Sequence, residues 1–516
     1  MNNTLTKNII ANYIGKVWSF VSVYIFVPLY IKLLGIESYA VINFYAVILA
    51  LLFFADAGLT ATLNRELARS TDKKYLGNLL FTMERIYMII CLLIIIGIFL
   101  FSNIIATNWL KSTVIPQSSL ALYIGLMGIG ISFQFFSTLY NGGLMGLQKQ
   151  VLANGLQILW SFFRSGVVLL PLYFLPSLTT FFVWQILVNG IFLLITRFKL
   201  WELVRTQMTY AFNLGLIRNI WKFALGMMVM GMIAALNTQL DKLLISKMLS
   251  LSDFGYYSLA AVFAQSPVII TTPVAVAVVP QLTRLIAEHK REELVKLFQR
   301  FSFFIASVAA AVSIVLFLYT KEMLFIWTHD PLIANTVNVT AKILLVGSTF
   351  LAFQLMPYYL SIGNGYNKAN IKLGVICIIC IIPSFIVLIK AFGLLGAAIP
   401  WLIINVLATL VLGYVLINKF LGGEFGTWLL KHTIVPCLVA IVVGYVVYYL
   451  TLPFAHGYYV LLYGAVTGCL VLLLNVWVHN KLAPDDVINL RQFLPGARRK
   501  TAGSSLMKEA EVQEQE

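Results

Sequence analysis

The chain has 516 residues, of which 60% are hydrophobic and only 11% are charged. A water-soluble protein of this composition could not cover its surface with polar groups, so lipid must form part of its solvent. The net charge of +16 would indicate a nucleic-acid partner in a soluble protein. Here the basic residues lie between long apolar runs, as the positive-inside rule requires, and no nucleic-acid partner is expected.

Apolar runs long enough to cross a hydrocarbon core of about 30 Å recur along the chain. The run from Met88 to Ile105, for example, has no charged residue. This pattern predicts an all-α polytopic membrane protein with about fourteen transmembrane helices. The helices are expected at 10–33, 39–61, 84–106, 119–142, 152–175, 178–198, 220–247, 254–283, 298–319, 337–362, 370–390, 394–417, 430–451 and 457–479.

The positions of lysine and arginine set the predicted orientation. Most of the 36 basic residues fall in loops on the side of the N-terminus. The loops on the opposite side hold only Lys32, Lys111, Lys247, Lys321 and Lys390. Because basic loops stay in the cytosol, both termini are predicted to be cytosolic.

Similar segments recur in the two halves of the chain. Lys32 matches Lys247, Tyr140 matches Tyr359 and Trp184 matches Trp401, all at nearly the same separation. We therefore predict two parallel six-helix repeats followed by two extra helices. The predicted divisions are a first lobe at 1–199, a cytosolic linker at 200–219, a second lobe at 220–418, helices 13 and 14 at 419–480, and a disordered cytosolic tail at 481–516.

Charged residues inside predicted spans are candidates for function because each costs about 2.5–3.5 kcal/mol on insertion scales. Arg164 lies in the middle of the fifth span, and Gln157 lies on the same helical face. The seventh span carries Asp241 next to Lys242, and the first carries Lys16. We predict that these cations face a central cavity and that Asp241 is the candidate for ion coupling.

Neutral polar residues add to this set. Gln134 and Asn141 lie on one face of the fourth span. Such residues also hold helix bundles together by interhelical hydrogen bonds, and that structural role remains an equal alternative for them. For Arg164 and Lys242 the cavity role is favoured.

Sequence motifs typical of membrane-bound catalysis are absent. No G-x-x-x-x-G-K-[ST] loop and no H-E-x-x-H pattern occurs, so neither a nucleotide nor a metal cofactor is expected. A glycan polymerase would need a larger outer domain than the short predicted loops provide. We therefore expect a transporter and not an enzyme.

Several segments of the chain resemble a known family. These are PLYIKLLGIESYAVINFY at 28–45, Phe54–Leu59, Gly146–Lys149 and Thr238–Lys242. Over roughly 8–480 the sequence resembles bacterial oligosaccharide flippases of the Wzx-like type, including O-antigen flippases. They form the polysaccharide-transporter branch of the superfamily of multidrug, oligosaccharidyl-lipid and polysaccharide exporters.

The resemblance implies two six-helix lobes in a V shape around a central cavity. It also implies that an undecaprenyl-diphosphate-linked oligosaccharide moves from the inner to the outer leaflet of the bacterial cytoplasmic membrane. Arg164, Lys242 and Lys16 would attract the diphosphate, and Gln134, Tyr140, Asn141 and Gln157 would contact sugar. The lipid bilayer, H⁺ or Na⁺, and the polysaccharide polymerase machinery are the other candidate partners.

Three alternatives follow from the same residues. A cation-coupled multidrug antiporter should contain several buried acids, whereas Asp241 is the one reasonable candidate. A peptidoglycan-precursor flippase would share the cationic cavity. A membrane glycan polymerase is the most distant alternative.

Overall fold

The computed structural model describes Trp18, Ser22 and residues 24–56, 58–205, 209–366, 368–452 and 457–482. For 214, 216–227, 230, 234 and 482 it describes the backbone alone. Within these residues the chain is helical apart from turns and an isolated bridge between Lys111 and Ser250. The prediction of an all-α polytopic chain is confirmed. Lys16 and the predicted tail beyond 482 lie outside the described residues.

The first half contains eight α-helices. They are α1 (Tyr24–Leu34), α2 (Ile36–Leu52), α3 (Leu59–Arg69), α4 (Lys73–Ile104), α5 (Gln117–Gly146), α6 (Gln150–Ser161), α7 (Leu169–Phe174) and α8 (Leu178–Val204). A 3₁₀ turn, Phe53–Asp56, extends α2. The π-helical turns Ile105–Trp109 and Phe162–Val167 extend α4 and join α6 to α7.

The second half contains eleven α-helices. They are α9 (Leu214–Met248), α10 (Leu251–Ala264), α11 (Ser266–Ala287), α12 (Arg291–Leu318), α13 (Thr320–Thr328), α14 (Pro331–Phe353), α15 (Leu355–Gly363), α16 (Lys368–Leu421), α17 (Phe425–Leu429), α18 (Val435–Thr451) and α19 (Tyr459–Leu482). The π-helical turn Leu430–Ile434 joins α17 to α18.

Eleven helical stretches of the described chain are long and apolar enough to cross a membrane. Fourteen spans were predicted, and the difference of three is accounted for as follows. The first predicted span is described as a helix from Tyr24, α9 covers the seventh, and α16 contains two predicted spans that meet at Gly393. Gly393 has a φ of 55°, which reverses the chain and is a conformation that glycine adopts without strain.

Two predicted boundaries differ from the structure. The predicted span 39–61 stops at Asp56, and Gly58, with a φ of 71°, turns the chain into the separate amphipathic helix α3. The predicted eighth span is divided between α10 and α11, which meet at Gln265. Helices also extend into the predicted linker 200–219, because α8 ends at Val204 and α9 begins at Leu214.

In the first half, α5 packs against α3, α4 and α8. Its residues Met127, Ile131, Phe135 and Leu139 are fully buried and four residues apart, so they form one face of the helix. The packing against α3 is close: a Cβ at Gly146 would lie 2.5 Å from the Asn64 carbonyl oxygen. A larger residue there would separate the helices.

In the second half, α14 packs against α10, α12 and α16, while α18 and α19 pack on α12 and on each other. The two halves meet where α2 packs against α9 and α10. This arrangement positions the inner faces of both halves around a common seam.

Candidate functional site

Arg164 lies in the π-helical turn between α6 and α7. Its Nε donates a hydrogen bond to Gln185 Oε1 at 2.6 Å, and Gln185 Nε2 donates to the Arg164 carbonyl oxygen at 3.0 Å. The guanidinium carbon is 4.9 Å from the centroid of the Trp160 ring and 5.6 Å from that of Tyr45. No carboxylate of the described residues pairs with it. Because these partners of Arg164 are neutral, its positive charge is not compensated by them and can attract an anion.

A small polar pocket of about 100 Å³ lies between α5, α6 and α8. Arg164 does not line it, but Trp160, on whose ring the Arg164 guanidinium lies, does. Three predicted site residues, Gln134, Asn141 and Gln157, all line it. Gln134 and Asn141 are seven residues apart and therefore two turns apart on one face of α5. The remaining lining residues are Phe53, Ser137, Thr138, Leu156, Trp160, Phe192 and Thr196. Amides, hydroxyls and an indole ring are the groups that bind uncharged sugars by hydrogen bonds and stacking.

A chain of hydrogen bonds connects this pocket with the residues around Arg164. The Tyr45 hydroxyl donates to Gln134 Oε1 at 3.4 Å, and Asn189 Nδ2 donates to the Tyr45 hydroxyl at 3.4 Å. Trp160 Nε1 donates to Asn189 Oδ1 at 2.9 Å. Trp160 thus lines the pocket with one part of its ring system and supports the Arg164 guanidinium. We call these five residues, with Arg164 included, the first-half polar network: Tyr45, Gln134, Trp160, Arg164 and Asn189.

Tyr140 does not line the pocket. It is 1% exposed, and its hydroxyl donates a 2.8 Å hydrogen bond to the buried carboxylate of Glu84. Glu84 also accepts from Arg197 Nε at 3.0 Å and from Trp201 Nε1 at 2.6 Å. The prediction that Tyr140 contacts sugar therefore has no support in this arrangement, because the side chain is part of a separate buried cluster.

Asp241 and Lys242 point to different surroundings although they are adjacent on α9. Asp241 is 9% exposed and accepts a hydrogen bond from the Tyr257 hydroxyl at 3.0 Å. Lys242 Nζ contacts Gln239 Oε1 of its own helix at 3.5 Å. Neither residue contributes to the pocket beside Arg164. The structure therefore brings Gln134, Asn141 and Gln157 into one pocket and links Arg164 to it through Trp160, whereas Asp241 and Lys242 do not line that pocket.

The seam between the halves is closed at the end that the charge pattern predicts to be outer. Glu37, in the first turn of α2, accepts hydrogen bonds from the Ser112 hydroxyl at 2.7 Å and the Thr113 hydroxyl at 2.6 Å. It also accepts one from the Ser252 hydroxyl of the second half at 3.1 Å. Glu37 thereby connects α2, the loop after α4, and α10 through one buried carboxylate.

Further bonds cross the seam at the same end. Trp109 Nε1 donates to Ser246 Oγ at 3.0 Å, and the Leu251 amide donates to the Lys111 carbonyl oxygen at 2.8 Å. Trp327 Nε1 donates to the Tyr24 carbonyl oxygen at 2.7 Å. These bonds hold the two halves together at this end in the described conformation.

Comparison with a protein-family model gives the family. Residues 5–286 match the model described as "Polysaccharide biosynthesis protein" (Polysacc_synt), which is more than half of the chain. The chain belongs to this family. A "Putative O-antigen transporter" of Shigella flexneri is 24% identical over 387 residues, covering 73% of this chain and 90% of that protein.

Solved structures show the fold of this polysaccharide biosynthesis protein. The lipid II flippase MurJ in an inward closed conformation superposes with a TM-score of 0.71 at 14% identity, covering 92% of this chain and 98% of that one. An inward-facing multidrug resistance MATE family transporter of the MOP superfamily gives 0.62 at 15% identity, with coverages of 77% and 92%. The chain therefore shares the polytopic helical fold of these two proteins.

Sequence reasoning missed several polar residues of this family member. Gln185 and Asn189 lie one turn apart in the predicted sixth span, and the same search for polar residues at helical spacing would have found them. Asp56 accepts hydrogen bonds from the hydroxyls of Thr60 and Tyr87, because the turn at Gly58 brings the start of α3 back beside it.

Proposed function

We propose that this protein is a flippase that moves an undecaprenyl-diphosphate-linked oligosaccharide, such as an O-antigen repeat unit, from the inner to the outer leaflet. One observation carries the proposal. An arginine that has no acidic partner among the described residues stacks on Trp160, which lines an amide- and hydroxyl-lined pocket of the first half. A cation beside neutral hydrogen-bonding groups is the combination needed for a substrate that is part diphosphate and part sugar.

The comparisons support the same conclusion. The matched family is described by polysaccharide biosynthesis, and the Shigella flexneri relative is described by O-antigen transport. The MurJ structure is described as a lipid II flippase, and lipid II is also a lipid-linked saccharide. Because the match to this flippase structure covers 92% of the chain, it supports a flippase over a glycan polymerase.

The roles of individual residues follow from their chemistry. Arg164 attracts the diphosphate, since a guanidinium can give two parallel hydrogen bonds to phosphate oxygens. Gln134, Asn141 and Gln157 hydrogen-bond to a sugar that lies against the Trp160 ring. The pocket of about 100 Å³ is too small for an oligosaccharide, so it holds one sugar at most. Lys242 and Lys16 would add positive charge along the path.

Alternating access is the proposed mechanism. The hydrogen bonds around Glu37 and Trp109 hold the predicted outer end closed, and substrate would enter from the cytosolic side. Outward opening would separate α2 from α10 and break these bonds. Movement of one lobe against the other around a central site is common in transporters built from repeats.

The family resemblance also supports a location in the bacterial cytoplasmic membrane with both termini in the cytosol. A contact with the polysaccharide polymerase machinery would pass the flipped unit to the next step. H⁺ or Na⁺ would drive the cycle through Asp241, whose buried carboxylate is bonded to Tyr257.

A multidrug antiporter is the second candidate, favoured by the likeness to MATE transporter structures and by the buried Asp241. Depletion of the protein in its host separates the two functions. The flippase predicts that a short undecaprenyl-diphosphate oligosaccharide accumulates on the cytosolic face. Unchanged lipid-linked glycans, together with greater retention of cationic dyes, would support the antiporter and contradict the flippase.

A further inference from the structure

A second cavity of the first half shares no lining residue with the pocket beside Arg164. It has a volume of about 1340 Å³ and lies between α4, α8 and the segment that follows α8. We call it the α4–α8 cleft. Its lining includes Phe81, Arg197, Phe198, Trp201 and Arg205. The proposed transport mechanism makes no use of it.

Basic side chains surround the mouth of the cleft. Arg197 is about half exposed, and its Nε is held at 3.0 Å by Glu84, a carboxylate that also bonds Tyr140 and Trp201. Arg205 is exposed and forms no ion pair with the described residues. Glu202, the other acid of the lining, is paired with Lys199 at 3.0 Å. Arg205 is thus the cation of the lining that has no acidic partner among the described residues, and Arg197 can add hydrogen bonds from the part of its guanidinium that Glu84 leaves exposed.

The exposed arginine at the rim adds to this positive field. The guanidinium carbon of Arg85 lies 4.8 Å from the centroid of the Phe81 ring, which lines the cleft. Two arginines in the lining and a third beside the lining residue Phe81 favour an anion with several oxygen atoms, such as a phosphate ester.

Apolar stripes lead from the cleft toward the middle of the membrane. On α8, Leu187, Ile191, Leu194 and Phe198 are each more than half exposed and lie at helical spacing on one face. On α4, Ile89 and Leu93 are also more than half exposed, and they continue the face that carries Phe81 and Arg85. A ligand of the cleft therefore meets arginines at one end and exposed hydrocarbon along its length.

From this arrangement we infer that the α4–α8 cleft binds a lipid with a phosphate headgroup. The headgroup is held by Arg197 and Arg205, and the acyl or prenyl chain lies along the stripes of α4 and α8. A soluble phosphate would make no use of the stripes, and a neutral lipid would make no use of the arginines. The shared chemistry fits both an anionic phospholipid and a polyprenyl phosphate.

The cleft also contacts the segment that connects the first half to α9. Tyr210 lines the cleft, and its ring centroid lies 5.2 Å from that of Trp201. The Ala211 amide donates to Asn78 Oδ1 of α4 at 2.9 Å. A lipid bound here contacts the start of the segment that leads into α9, so it stabilises the docking of that segment on the first half.

Native mass spectrometry of the purified full-length protein tests the inference as binding, independently of transport. The probes are phosphatidylglycerol, phosphatidylcholine, undecaprenyl phosphate and inorganic phosphate. We expect retention of phosphatidylglycerol over phosphatidylcholine, and a loss of about fivefold in that retention in Arg205→Gln. Arg69→Gln removes an exposed arginine outside the cleft and should leave retention unchanged.

Arg197→Gln is a second variant with the same expected direction, but it leaves Glu84 without its cation and so serves only if the protein remains folded. Displacement of phosphatidylglycerol by undecaprenyl phosphate, with the same dependence on Arg205, would support the inference and identify the carrier lipid as an occupant. Failure of displacement would support it with phospholipid as the occupant. Equal retention of the two phospholipids, wild-type retention in Arg205→Gln, or displacement by inorganic phosphate as effective as by lipid would overturn it.

Discussion

Two groups of membrane-embedded polar residues, one in each half of the molecule, have different surroundings. In the first half, Gln134, Asn141 and Gln157 line a pocket, and none of the three is fully buried. In the second half, Gln354 Nε2 donates to the Asn405 carbonyl oxygen and the Thr409 hydroxyl, both at 3.1 Å. The three amides of the first half remain accessible to a ligand, whereas the amide of Gln354 is bonded to residues of the neighbouring helix α16.

The surroundings of a polar side chain distinguish a residue that binds a ligand from one of the same type that holds helices together. A polar side chain inside a membrane is satisfied either by another helix or by a ligand. Because the second-half cluster is internally satisfied, we assign it to helix packing. The first-half polar network has an open side toward the pocket, so we assign it to substrate recognition.

The largest expected effect comes from Arg164. Arg164→Ala should lower export by on the order of 100-fold, because a diphosphate loses its charged partner in a low-dielectric site. Surface glycan in a host that depends on this protein measures export, and membrane fractionation checks insertion. Arg69→Ala removes an exposed arginine and is the matched control. Normal export by an inserted Arg164→Ala protein would remove the diphosphate role.

Asp241 is the buried acid of the second half that we propose for ion coupling. Asp241→Asn should abolish the response of export to uncouplers or to the sodium gradient and lower its rate about tenfold, since an amide cannot exchange a proton or carry the coupling charge. Asp72→Asn is the control, because asparagine caps a helix as well as aspartate does. A wild-type response to the gradients in Asp241→Asn would assign this carboxylate a structural role through Tyr257.

Two matched glutamine variants test whether Gln354 serves helix packing and Gln157 serves substrate recognition. Gln354→Leu should lower the free energy of unfolding by about 1–3 kcal/mol because it leaves buried partners unsatisfied, with the substrate affinity unchanged. Gln157→Leu should leave the thermal midpoint unchanged and weaken substrate binding severalfold. Thermal unfolding in detergent and binding of a lipid-linked glycan measure both. The reverse result would show that the assignment of the two halves is mistaken.

The smallest effect is expected at the seam. Ser252→Ala removes the one hydrogen bond that Glu37 accepts from the described residues of the second half, which is worth about 1 kcal/mol. The outward-open population should rise about fivefold, as measured by spin-label distances across the predicted outer end. Ser112→Ala removes a Glu37 bond within the first half and should shift this population less. An equal shift in both variants would argue against Glu37 as the connection between the halves.

The sequence was sufficient for the fold because lipid imposes a simple rule on it. Each span must be apolar and helical for about 20 residues, so hydropathy locates it. The break at Gln265 escaped this rule, since a turn inside an apolar run changes direction without changing composition. The break at Gly58 was missed because the first residues of the amphipathic helix α3 continue the apolar run of α2. The predicted lobe limits and terminal orientation stay predictions.

The site was predictable in part. Helical spacing placed Gln134 and Asn141 on one face, and the pocket unites them with Gln157. The same spacing could not show that Tyr140 faces Glu84, because rotation of α5 against α4 is set by packing of the whole half. The stacking of Arg164 on Trp160 depends on the π-helical turn, which shifts the helical register and has no signature in composition.

Flipping of a lipid-linked oligosaccharide in proteoliposomes tests the central claim most directly. The substrate is placed in the inner leaflet of vesicles that contain the purified protein, and a glycan-binding reagent outside reports its arrival. We expect wild-type protein to expose the glycan, Arg69→Ala to match it, and Arg164→Ala to expose about as little as protein-free vesicles. Glycan exposure by Arg164→Ala at the wild-type rate, or none by the wild-type protein with any undecaprenyl-diphosphate oligosaccharide from its host, would contradict the account.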